Sequence, residues 1–164
     1  VLFDHHTDMQ EPIFPQLLSC GSWAGEILRK NTYLEQLILI GPEQNGLEGI
    51  EQAVREKIVW LKDKDQDKTD TEIKKIKMSL PIYISIDKDV LSSYYARTNW
   101  NQGNMSVKIL EKILLEVFRH QKVIGVDICG ECSLLEPLQQ LLEDEKINLN
   151  TDRSLYQFLT RLLG

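Results

Sequence analysis

The chain has 164 residues, 42% hydrophobic and 27% charged, with a formal net charge of −6. These totals fit one globular domain with its own core, and they exclude a disordered or fibrous chain. The acid surplus, with a pI near 5.1, argues against nucleic acid or an anionic membrane as a partner.

Three cysteines, Cys20, Cys129 and Cys132, are too few and odd in number for a disulfide scaffold. No apolar run approaches the roughly 18 residues of a membrane span, and no signal-peptide pattern appears. A reducing, cytoplasmic setting is therefore expected. The chain starts at Val1, already inside an apolar run, so the single domain is expected to lack an N-terminal portion.

That first run, Val1 to Phe3, predicts a strand leading into Asp4-His5-His6-Thr7-Asp8. In extended backbone the spacing of two turns Asp4, His6 and Asp8 to one face. Met9 to Gln16, with Pro12 and Pro15, is a predicted loop. Ser22 is placed to cap a helix running to about Lys30, helped by Glu26. Leu37 to Ile40 is a strand stopped by Gly41-Pro42; residues 47 to 56 carry a helical pattern through Leu47, Ile50 and Val54. Lys57 to Leu61 predicts a short strand, Lys62 to Asp70 a solvated charged connection, and Thr71 to Met78 a helix.

Pro81 to Asp87 is a strand rich in β-branched and aromatic residues, and its end, Asp87-Lys88-Asp89, repeats the acid spacing of the first. Asn99 to Gly103 is a polar loop. Ser106 to His120 is the clearest amphipathic helix, with Ile109, Ile113 and Phe118 along one stripe. Val123 to Asp127 is a further strand, and Leu134 to Glu145 and Asp152 to Leu163 are two helices, the second capped by Asn150 or Thr151. Strands alternating with helices predict a mostly parallel sheet covered on both faces. Ligands of such sheets bind beyond the carboxyl ends of the strands, where Asp4, Asp8, Asp87, Asp89 and Asp127 gather.

Carboxylates a few ångströms apart raise one another's pKa, so this cluster either holds cations or is partly protonated. Oxygen ligands with one imidazole favour Mn²⁺, while Fe²⁺, Co²⁺ and Zn²⁺ are also accommodated. The number of acids suits two ions bridged by shared oxygens, about 3.5–4 Å apart.

Asp4-His5-His6-Thr7-Asp8 resembles the D-x-H-x-D signature of the ureohydrolases: arginase, agmatinase and formiminoglutamase. Ser85 to Leu91 resembles that family's S-[FI]-D-x-D strand end, and Gly125 to Glu131 its later G-x-D-I-x-E segment with one residue more before the Glu. The resemblance implies a three-layer αβα arginase-like fold and a binuclear manganese hydrolase that cleaves a linear C–N bond of a guanidino or formimino compound. It implies that Asp4 and Asp87 bridge two Mn²⁺, that Asp8 binds the first ion, and that His6 and Asp89 bind the second. Asp8 would also relay a proton to the leaving amine, and Glu131 would pair with the substrate cation. Trp23, Trp100 and Asn101 are candidates for lining the site. Members of the family are often homo-oligomers.

Two departures separate the chain from that pattern. The family's G-G-D-H ligand segment lies upstream of the first motif, so with the sequence starting at Val1 that ligand is expected either in an upstream portion or not at all. Between Met9 and Asn31 there is no His to shuttle protons; Cys20, Ser22 and Trp23 stand there instead. A larger guanidino compound, or arginine within a peptide, fits this divergence better than free arginine. The alternatives are a single-zinc, deacetylase-like amide hydrolase and a non-catalytic metal-binding relative. Cys129-x-x-Cys132 lacks a second pair to complete a zinc site, and His120, in the last turn of its helix, is assigned no chemistry.

Overall fold

The computed structural model describes residues 1–12, 14, 17–42, 47, 49–61 and 80–164. The charged stretch 62–70 and the helix expected at 71–78 lie outside the described residues. Five strands form one sheet: β1 (Leu2–Phe3), β2 (Leu37–Ile40), β3 (Ile58–Leu61), β4 (Ile82–Asp87) and β5 (Val123–Cys129). Their order is β3-β2-β1-β4-β5, and every pairing is parallel. The run of strands therefore places all its carboxyl ends along one rim.

Strand alternation sends side chains to two cores. Phe3, Ile38, Ile40, Ile84 and Ile86 pack under α3 (Val107–His120) and α4 (Leu138–Leu163), through Leu110, Ile113, Leu114, Val117, Leu155 and Leu159. Leu2, Leu37 and Leu39 face the other way, onto Ala24 and Leu28 of α1 (Trp23–Lys30) and Val54 of α2 (Gln52–Arg55). Helices thus cover the central sheet from both sides, giving the expected three-layer α/β architecture. Ser106 caps α3 by accepting from the Ile109 N–H at 3.2 Å.

Three expectations are corrected. Residues 47–56 supply only the single turn of α2, because Gly49 takes a positive φ of 78° and Glu51 is extended; Leu47 and Val54 are nevertheless buried. Ser22 precedes α1 but makes no side-chain cap. Its hydroxyl turns back and accepts from the Ser19 N–H at 3.1 Å. The two helices expected after residue 133 are one, α4, unbroken across Asn148 to Asp152. Of the two residues that suggested a cap, Asn150 is exposed and Thr151 is buried. Three residues before Thr151, the Asn148 side chain accepts from the Arg97 N–H at 2.7 Å and donates to the Arg97 carbonyl at 2.8 Å. Thr151 Oγ1 donates to the Tyr95 carbonyl.

Candidate metal centre

The first acid follows β1 directly. Asp4 continues the ladder, its N–H donating to the Ile40 carbonyl at 3.1 Å, and its side chain is 1% exposed. The chain then curls, and the His6 N–H donates to Asp4 Oδ1 at 2.6 Å. At the end of β4 a 3-10 turn, Lys88–Val90, swings Asp89 toward the same point. The Asp87 carboxylate caps that turn, accepting from the Asp89 N–H at 2.9 Å. Asp89 in turn accepts the His5 N–H at 2.9 Å on Oδ1 and meets His6 Nδ1 at 2.7 Å on Oδ2.

The result is a compact donor set. One ligand atom each from Asp4, His6 and Asp89 lies within 4.8 Å of the other two. Two acids and an imidazole from separate strand ends form the O,N,O chemistry that a first-row divalent cation accepts.

Asp8 reaches the rim by another device. It sits at φ 52°, a left-handed conformation that Asp tolerates better than most residues. That turn aims its carbonyl at the start of α1, where it accepts the N–H groups of Ala24 and Gly25 at 3.0 and 3.2 Å. The unpaired donors of the helix's first turn are satisfied by Asp8, not by Ser22. Its carboxylate accepts the Trp23 indole N–H at 2.6 Å.

The electrostatics are those of acids crowded without a counter-ion. Burial, with the charges of Asp89 and Asp8, pushes Asp4 up to about 8. Burial likewise raises Asp8, against the Trp23 hydrogen bond, and raises Asp87 with help from Asp89. Hydrogen bonds to Asp4 and Asp89 hold His6 up at about 10. Protons and the imidazolium supply the positive charge that this cluster requires, and a divalent cation would replace them.

A pocket of about 410 Å³ opens beside the cluster, lined by Asp4, Asp8, Asp87, Asp127, Trp23 and Trp100 among others. Trp100 also stands edge-on to His6, ring centroids 6.1 Å apart. Asn101 is exposed and outside the lining, and its neighbour Asn99 takes that place on the wall. Asp127 faces the pocket but accepts the Ser85 hydroxyl at 2.9 Å. Glu131 is on the wall too, in contact with Lys88 and Asn148.

A model of the arginase family matches residues 1–133. The chain belongs to the arginase family. An uncharacterized protein of Thermotoga maritima is 35% identical over 161 residues, covering 95% of this chain and 57% of that protein. Among solved structures, the proclavaminate amidino hydrolase from Streptomyces clavuligerus superposes with a TM-score of 0.65 at 18% identity, over 89% of this chain and 51% of that one. Formimidoylglutamase from Bacillus subtilis gives 0.63 at 19% identity, over 89% and 49%, and an arginase from Medicago truncatula 0.60 at 17%, over 90% and 48%. These likenesses show the fold. The chain spans about half the length of these solved arginase-family structures.

Within this arginase-family chain, two residues near the site lay inside motifs but were assigned no role there. Lys88 stands between two acids and, by strand alternation, had to point away from both; that was the available signal. Cys129 ends β5 with Sγ 3.4 Å from Asp87 Oδ2. Burial and the charge of Asp87 push its thiol up.

Proposed function

We propose that this chain carries the metal-binding and catalytic part of an arginase-like hydrolase that cleaves a linear C–N bond of a guanidino or formimino compound with two Mn²⁺. The observation that carries the proposal is the meeting of Asp4, His6 and Asp89 from two strand ends, their donor atoms within 4.8 Å. Asp8 and Asp87 on the adjoining pocket wall would join Asp4, His6 and Asp89 as the residues that hold two ions. When bound, divalent cations supply Lewis acidity and lower the pKa of a nearby water.

The chain's own groups have distinct tasks. Asp8, whose Oδ2 accepts the Trp23 indole N–H, would take a proton from the attacking water and pass it to the leaving amine. Glu131 offers the carboxylate that a cationic guanidinium recognises. Trp23 and Trp100 are among the residues that line the pocket with the acids, and would limit water around the reacting carbon. The absence of a His between Met9 and Asn31 supports a guanidino substrate other than free arginine, such as arginine in a peptide.

The test is urea release by Mn²⁺-loaded protein offered arginine, agmatine and arginyl peptides. Release from at least one, abolished in Asp87→Asn, is expected. Loaded protein inert toward all of them, and toward formiminoglutamate, would leave a metal-binding role without hydrolysis. A single-zinc, deacetylase-like reading has one observation in its favour: among the described residues, one trio of donors meets closely enough for one ion.

A further inference from the structure

The most fully buried charged group in the described chain is Lys88, which is 0% exposed. It lies between the two acids of the β4 end, yet its side chain runs the other way, beneath the loop that leaves β5. Its ammonium donates to Glu131 Oε1 and to Asp152 Oδ1, both at 2.8 Å. A buried charge stays put only if it is paired, and its partners are the reverse case: the Glu131 side chain is 69% exposed.

One end of the pair is fixed by the core, and the other is a surface carboxylate that would otherwise sample many rotamers. The backbone reinforces the arrangement. Gly130 takes φ +89°, and a Cβ there would lie 2.4 Å from Asp87 Oδ1 and 2.9 Å from the Lys88 backbone nitrogen. The loop is thus pressed onto the β4 end. Glu131 Oε2 has a longer contact, 3.4 Å, with the Asn148 amide of α4. The Glu131 carbonyl also accepts the Asn99 N–H at 3.2 Å.

We propose that Lys88 is a positioning residue: held in the core, it fixes the Glu131 carboxylate on the pocket wall in the orientation that receives the substrate's cationic group. This rests on the assignment of Glu131 to substrate binding made above. A carboxylate has about four lone-pair sites, so one Lys and one amide leave room for a planar, two-pronged donor. Glu131, Asp152 and Lys88 together carry one net negative charge, so the wall still attracts a cation.

Two consequences of removing Lys88 oppose each other. Losing its charge would strengthen Glu131's attraction, but the Glu131 carboxylate is 69% exposed, and solvent there screens the gain. Losing the fixed orientation costs a charge-assisted hydrogen bond's worth of geometry, which is larger. Positioning therefore predicts weaker binding, and a mere charge effect predicts tighter binding.

The experiment measures KM and kcat for urea release from agmatine and from an arginyl peptide, and agmatine binding by calorimetry, on Mn²⁺-loaded wild type, Lys88→Met, Glu131→Gln and the double variant. Lys88→Met is expected to raise KM and the calorimetric Kd about tenfold, with kcat within about threefold. The double variant should bind no worse than Glu131→Gln alone, because Lys88 acts through Glu131. Unchanged or tighter binding in Lys88→Met, or additive losses in the double variant, would overturn the inference. If Lys88→Met does not fold, Lys88→Gln in the presence and absence of Glu131→Gln decides by the same non-additivity. Should Glu131→Gln itself bind agmatine like wild type, the substrate assignment fails, and the Lys88 inference falls with it.

Discussion

At the scale of single residues, the acids of the rim make the protein's stability depend on pH in a definite direction. Asp4 rises from 3.8 to about 8 on folding, and His6 from 6.5 to about 10. Both groups bind protons more tightly in the native state, so stability falls as pH rises. The His6 contribution is complete below 6.5 and lost toward 10; the Asp4 cost is absent below 3.8 and fully present above about 8. Chelator-treated protein should therefore melt at progressively lower temperature between about pH 5 and pH 9. Added Mn²⁺ should stabilise more at the upper end, because cations compete with protons for the same atoms. Melting curves with and without metal across that range check this, and a chelated protein that gains stability toward pH 9 would contradict it. Gly130→Ala, at φ +89° with a 2.4 Å approach to Asp87, should cost at least about 1–3 kcal/mol in a denaturant titration. Acids at the ends of apolar runs were visible in the sequence, but the extended backbone expected to turn Asp4, His6 and Asp8 to one face is not what the chain adopts. It bends at His5 and His6, and Asp8 takes φ 52°. Lys88 and the Asp8 turn were not legible there, because each depends on a partner distant in the chain: Glu131 and Asp152 for one, the first turn of α1 for the other.

Elements were legible where periodicity spoke alone. β2, β3, β4 and α3 lie within a residue or so of their expected bounds, because apolar runs and a 3.6-residue stripe are local signals. Capping was where local reasoning failed. Ser22, Asn150 and Thr151 have helix-capping chemistry, but Ser22 turns back to Ser19, Thr151 donates to the Tyr95 carbonyl, and Asn150 stays exposed within α4. Asn148 is 2% exposed and holds both the N–H and the carbonyl of Arg97, so α4 continues through it and braces the loop that leads to Trp100. Asn148→Ala strands two backbone groups of Arg97. It should cost about 1–3 kcal/mol by thermal or chemical denaturation, with the helical circular dichroism signal of the folded state unchanged. A loss of helix content would instead mean that Asn148 sustains α4 itself.

At the scale of the whole molecule, one topological fact organises the rest. Five parallel strands leave every carboxyl end on one rim, so motifs separated by more than eighty residues in sequence close into a cluster a few ångströms across. The parallel α/β class was legible because strands and helices alternate along the chain. The strand order β3-β2-β1-β4-β5 was not, since no local pattern states which strands become neighbours. That order sets β1 beside β4, and through it Asp4 and His6 beside Asp89. Saturating metal should accordingly raise the melting temperature by mass action, and Asp89→Asn should remove most of that rise. The central claim is a two-cation site, and the most direct measurement of it is elemental analysis of purified protein equilibrated with Mn²⁺ and freed of excess. Two Mn per chain, falling in Asp4→Asn and in Asp89→Asn, is the predicted result; a chain that retains no Mn²⁺, or holds a single zinc in its place, would contradict it.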